Sequence, residues 1–367
     1  MEKNKQIQEA GSNSQQFMAN TLIINNNGLT EKQLSTFLKN EIENTLRENQ
    51  LLANDIALKR LNEFKDIFLP KLVKNEMLDI FKEPEIQILF KEAQRTAICS
   101  NRKLDYELLS ELLIHRKKNN NVNKNVAISN AVEIIDKITE EALFVLTIIY
   151  VVEHFSPISG NIDEGFKLLD ELFGKILQDN KLPNNDEWIE NLEINRAISL
   201  NTLGNTKKIS DFWFEKFTSY SQIWIKKDSE EFYKLCEELK KNNIPIDILI
   251  DNPLDTNFNT LKILQKEQVD NLLIENSKQS LSFQMPITAK QKNIIESIFD
   301  NNKFKKNGNN NESILFNQKL NEYKNLKYVN EWWNKNVTRF SIRLNSIGKV
   351  IAHTNAKNID PSLPNLD

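Results

Sequence analysis

The sequence predicts a mainly α-helical protein: multi-helix bundle domains with a short N-terminal β-strand arm and a long bridging helix. Gly (8) and Pro (9) are scarce for 367 residues, and folds built from many tight turns draw on both. Apolar residues recur at spacings of three and four through most of the chain, the period of a half-buried helix. A hydrophobic fraction of 40% beside 27% charged residues is the balance of a folded soluble chain.

Residues 1–29 form the arm. The segment Ser14 to Asn25 ends in the β-type run Leu22-Ile23-Ile24, and Asn27-Gly28 is a turn signal. One strand cannot stand alone in water, because its backbone groups and apolar face need partners. Either it joins a sheet elsewhere in the chain or sister strands from several subunits associate. The second is favoured, since little other strand-like sequence is present.

The long helix follows over residues 30–70. Thr30 and Gln33 are spaced as a capping box, and Leu34, Leu38, Ile42 and Leu46 make one apolar stripe. Ala57, Leu61, Phe64 and Phe68 continue it after a drift, and Pro70 is expected to end it. At 1.5 Å per residue the stretch from Thr30 to Phe68 spans ~58 Å. A helix this long bridges domains or packs on a copy of itself, although the heptad fit is too imperfect for a regular coiled coil.

A central helical domain is placed at 71–186, with a four-helix unit at 105–178 as its best-defined part. Asp105 is expected to cap a helix carrying Leu108, Leu109, Leu112 and Leu113, followed by a basic loop from His115 to Lys124. Ala131, Ile134, Ile135 and Ile138 mark the second helix. Thr139 caps the third, which is apolar almost all round and must be the buried centre. Asp163 is read as the cap of a fourth, with Phe166, Leu169, Leu172, Phe173 and Ile176 on one face. A second helical domain occupies 187–300, with helices near 209–226, 228–242, 259–275 and 288–300, and a strand or extended run at Ile244–Ile250. The Asn/Lys stretch 301–311 reads as a linker. Residues 312–367 form a basic aromatic region with a helix at 312–335 and a short one around Val350.

Three stretches carry a family likeness: Gln6-Ile7-Gln8-Glu9-Ala10-Gly11 with Asn13-Ser14-Gln15-Gln16-Phe17; Leu108 to Arg116; and Ser346 to Ala356. The chain resembles an uncharacterised bacterial family known only by locus tags of the LPO and Vpar type. The resemblance covers most of the chain and brings no catalytic residues with it. The middle helices are similar in style to those of bacterial abortive-infection proteins, which implies a setting in phage defence by analogy alone.

The catalytic inventory is thin. Gly160 and Gly165 have phosphate-loop spacing, but Phe166-Lys167 stand where Lys and Ser/Thr are required. Of the three histidines, His115, His154 and His353, none sits in a recognisable motif. Glu153 and His154 are helix neighbours pointing about 100° apart, so His154 reads as a partly buried helix-end residue. Cys99 and Cys236 lack a CxxC and read as buried free thiols. Asp247, Asp251 and Asp255 recur every four residues, but Pro245 and Pro253 interrupt any helix that would align them, leaving solvated loop acids. No cofactor and no metal are implied. No signal-peptide pattern opens the chain. The longest apolar run, 142–152, falls short of the ~20 residues of a membrane span, and a cytoplasmic address follows by elimination.

Charge supplies one asymmetry. Residues 301–353 hold ten Lys/Arg against three Glu in a chain of net charge −3, with aromatic residues interleaved. Lysine and arginine neutralise phosphates and aromatic faces stack on bases, so Lys327, Trp332, Trp333, Lys335, Arg339 and Arg343 are the candidate nucleic-acid contacts, against a reading of the tryptophans as core. The leading expectation is a non-enzymatic homo-oligomeric interaction protein, a sensor or scaffold in bacterial defence. It self-associates through Phe17, Leu22, Ile23, Ile24, Leu34 and Leu38 and recognises a further protein partner through its helical body. A nucleic-acid-binding protein is the alternative, and an effector enzyme with an unrecognised site a further one.

Overall fold

The computed structural model describes residues 31–178, 181–201, 203–278, 281–301, 305 and 310–365. The chain divides into two units, Met1–Lys59 and Arg60–Asp367. The proposed strand arm, with Phe17, Leu22, Ile23 and Ile24, lies outside the described residues, as do Thr30 of the capping box and most of the 301–311 linker.

In the first unit every described residue belongs to helix α1 (Glu31–Lys74). Pro70 does not end this helix as expected. Proline removes one intrahelical hydrogen bond. The loss is outweighed because Phe64, Phe68 and Leu72, four residues apart, bury one face. There Phe68 meets Phe81 edge-on at 6.4 Å and stacks on Phe90 at 5.7 Å between ring centroids.

The second unit opens with those last turns of α1 and a 3₁₀ turn at Leu78–Lys82. Helix α2 (Pro84–Cys99) starts on Pro84, whose fixed φ suits a first helical turn. Helices α3 (Lys103–Lys118), α4 (Val122–Ile134), α5 (Glu140–His154) and α6 (Ile162–Leu177) make up the expected four-helix unit. Two of its caps differ from expectation. Asp105 lies inside the first turn of α3, fully buried, where it accepts from Ser100 Oγ at 2.5 Å and pairs with Arg102 at 2.9 Å. The cap of α6 is Asn161, whose Oδ1 accepts from the amides of Asp163 and Glu164. Thr139 caps α5 through the amide of Ala142. His115 to Lys118 are the last turn of α3 and not a loop, with the cations Arg116, Lys117 and Lys118 at the negative end of its dipole.

Helix α5 is the buried centre, with every residue from Ala142 to Val152 except Phe144 withdrawn from solvent. The chain then runs through α7 (Glu187–Ile194), β1 (Ile198–Leu200), α8 (Ile209–Lys216), α9 (Thr218–Ser221), β2 (Ile225–Lys226) and α10 (Glu230–Lys241). The single helix expected near 209–226 is thus broken, because Phe217 adopts a non-helical φ of −91° and ψ of 76°. Next come β3 (Leu249–Asp251), β4 (Phe258–Leu261), a 3₁₀ turn at Lys266–Asn271 and the hairpin of β5 (Leu273–Lys278) with β6 (Leu281–Pro286). The helix expected at 259–275 is therefore absent. Short apolar runs carry no decisive period, and here cross-strand pairing takes them: β2, β4 and β3 form one antiparallel sheet in that order. The expectation that little strand sequence exists outside the arm is overturned by the same elements.

The chain closes with α11 (Ala289–Asp300), α12 (Asn310–Leu320), α13 (Lys324–Asn336), β7 (Ile342–Leu344) and α14 (Ser346–Ile359). Strand β7 pairs antiparallel with the distant β1. Helix α14, longer than expected, packs on α5 and α4, where buried Asn355 donates to Thr147 Oγ1 at 2.9 Å. Residues 316–356 thereby share one apolar core with α2 to α9. A smaller core, including Ile223, Leu239, Leu261 and Ile295, lies between the three-stranded sheet, α10 and α11.

Candidate functional site

Two surfaces stand out, one in each unit. In the first unit, α1 carries large apolar side chains in water: Leu38 is 50% exposed, Ile42 59%, Leu46 63%, Leu52 61% and Ile56 52%. Single exposed leucines are ordinary, but a row of them along one side of a helix, here interrupted by Thr45 and Asn49, marks a contact surface. Leu38, predicted for self-association, is on it. The side chain of Leu34 lies outside the described residues.

In the second unit the three histidines, 238 positions apart at the extremes, gather at one place. His154 stacks on Tyr150 with centroids 4.4 Å apart, and His353 meets the same ring edge-on at 5.8 Å. His115 lies 6.5 Å from His353. The grouping follows from the fold: α14 passes between α3 and α5, bringing His353 down beside the ends of both. His353 is 1% exposed and its Nε2 lies 3.0 Å from the carbonyl of Pro364. Burial holds the imidazoles of His115 and His154 below their ordinary value, aided for His154 by Lys349. Both are therefore neutral at pH 7. The Nδ1 of His154 is 3.2 Å from the carbonyl of Tyr150, which can only accept, so the proton is assigned to Nδ1. Glu153 at 4.0 Å is then no ion-pair partner. Next to this group, Lys216 donates to the carbonyl of Glu153 at 2.7 Å, and its ammonium is pushed down to about 8 by burial. Burial likewise raises the Glu153 carboxyl.

A cleft of about 410 Å³ opens beside His115, with Lys71, Lys74, Glu107, Glu111 and Lys357 around it. Lys71 is already paired with Glu111 at 2.6 Å. The arrangement offers donors and carboxylates to a polar ligand or a charged partner surface. Among the described residues no cluster of His, Cys, Asp and Glu is placed to hold a metal ion. An apolar cleft of about 290 Å³ lies elsewhere in the unit, walled by Phe64, Phe68, Phe81, Phe90 and Leu69.

A family model designated by a locus tag and the suffix "-like", for an uncharacterised bacterial family, matches residues 28–366. The chain belongs to that family. No curated protein and no solved structure matches the chain.

The residues predicted to contact nucleic acid divide between core and surface. Trp332 and Trp333 are 6% and 2% exposed, and each indole N–H is spent inside the body, on the carbonyls of Pro183 (2.7 Å) and Lys207 (2.9 Å). Trp332 also packs on Trp188. Neither indole offers a face for base stacking. The cations point outward: Arg339 pairs with Asp186 at 2.7 Å and lies over the Phe340 ring, and Lys327 is 3.9 Å from Glu331. Lys335 and Arg343 are exposed. The four cations remain in water with Tyr328 among them, while the two tryptophans proposed to stack on bases do not.

Asp247 and Asp251 are paired separately, with Lys262 and Lys227. Asp255 accepts from the amide of Asn257 at 3.0 Å. Cys99 is exposed and Cys236 partly so, contrary to the expected burial. Among the described residues no helix is long and apolar enough to cross a membrane.

Proposed function

We propose that this protein is a homo-oligomeric interaction protein: α1 joins copies of the chain, and the helical body recognises a further protein partner. The observation that carries the reading is the row of large apolar side chains standing in water on α1 between Leu38 and Ile56. Withdrawing a Leu or Ile side chain fully from water stabilises by roughly 1.5–3 kcal/mol, so a row of them is a standing drive to associate. The polar cleft beside His115 offers the body's surface for the second partner. The likeness of the middle helices to abortive-infection proteins supports a sensor or scaffold role in defence by analogy only.

Light scattering on the full chain and on an Ile42→Lys/Ile56→Lys variant tests the reading. The expected result is a mass that is a multiple of 42.8 kDa for the parent and a single chain for the variant. A parent that stays monomeric at every concentration, or a variant that keeps the parent's mass, would overturn it.

A further inference from the structure

The order of residues along the exposed part of α1 says which partner fits it. Counting in sevens, with Ile42 in the first position, places Ile42, Asn49 and Ile56 at one seam position and Leu38, Thr45 and Leu52 at the other. All six are exposed. Two-stranded parallel coiled coils favour a β-branched residue at the first seam position and leucine at the second. A single asparagine at the first position fixes register and strand number, because it is satisfied only by its own counterpart across the pair.

The flanks agree. The position preceding the first seam residue is Glu41, Glu48 and Asp55, while the opposite flank carries Lys39, Leu46 and Ala53. Antiparallel pairing would set the acidic flank of one helix against the acidic flank of the other. Parallel pairing sets Glu41 and Glu48 beside Leu46 and Ala53 of the second copy and avoids that repulsion. The repeat also has ends: Ser35 precedes it, and Lys59 and Glu63 occupy the next two seam positions. Leu51 and Leu58 lie on the opposite side of the helix and take no part.

We infer that residues 38–56 of α1 form a short, parallel, in-register two-stranded coiled coil with a second copy of this chain, keyed by Asn49. The inference rests on the self-association reading and adds to it the partner count and direction.

Cross-linking tests it on the full chain. With Cys99→Ser and Cys236→Ser in place, Ser35→Cys puts one thiol per chain at a seam position just before the repeat. In the parallel pair the two Cα atoms lie within the ~7 Å that a disulfide bridges; in an antiparallel pair centred on the same seam they are roughly 35 Å apart. Mild oxidation is expected to give a covalent dimer in high yield. Association seen by light scattering without that cross-link would overturn the parallel register and leave self-association standing. No association at all would remove both. As a second readout, Asn49→Val is expected to convert a single dimer into a mixture of dimers and larger species. An unchanged dimer would remove the role assigned to Asn49.

Discussion

At the scale of single residues, close packing and burial set what can be changed. Gly348 lies where α14 crosses the end of β1, and a Cβ built there would stand 2.1 Å from the carbonyl oxygen of Ala197. That oxygen is backbone and already accepts from the amide of Asn345 at 3.0 Å, so it cannot yield cheaply. Gly348→Ala is expected to cost about 1–3 kcal/mol, as overpacking does, measured by urea unfolding; an unchanged midpoint would show that the crossing is looser than described. The histidines make a pH prediction. For His115 and His154 the folded values lie below 6.5, through burial first. As pH falls through 6.5 the unfolded chain therefore takes up protons that the folded chain refuses, and stability declines, the loss being complete below the folded values. Asp105 works in the opposite sense. Burial holds it above 3.8 against the pull of Ser100 and Arg102, so its contribution is full below 3.8 and fades as pH rises through its folded value. The urea midpoint should thus drop between about pH 7.5 and 5.5, and a His115→Gln/His154→Gln variant should flatten that drop. An equal drop in the variant would place its origin elsewhere.

At the scale of elements, what was legible in the sequence was what local physics determines. The four-helix unit could be read because α5 is apolar all round and α6 is amphipathic over its whole length, so each has one way to be buried. Thr139 could be read as a cap because a hydroxyl before a helix has one use there. Asp105 misled for the same reason in reverse: an acidic residue near a helix start looks like a cap, whereas burial beside Ser100 and Arg102 is a tertiary fact. Strands β1 and β7 were not legible, since each is three residues long and its partner is more than 140 positions away. The same holds for the histidine group, which exists only because α14 returns to α3 and α5. Trp332 and Trp333 show the converse. Their types and spacing suit a binding surface or a core equally well, and only the carbonyls of Pro183 and Lys207 decide between them. In α1 the heptad fit looked imperfect because two apolar series follow one another: one from Leu38 to Ile56 is exposed, and one from Phe64 to Leu72 is buried.

At the scale of the whole molecule, the two units draw their stability from different sources. The second unit carries two apolar cores of its own. In the first, the described residues from Ser35 to Ile56 contribute none to either core. Helical segments in water without a packed face are marginal, so the stability of this one is tied to association. Amide hydrogen exchange measures that directly, comparing residues 38–56 in the parent chain and in the Ile42→Lys/Ile56→Lys variant. Strong protection is expected in the parent, near-free exchange in the variant, and unchanged protection of α5 in both. Equal protection of residues 38–56 in the two proteins would mean that the helix is held by its own chain, and would contradict the claim that copies of the protein meet there.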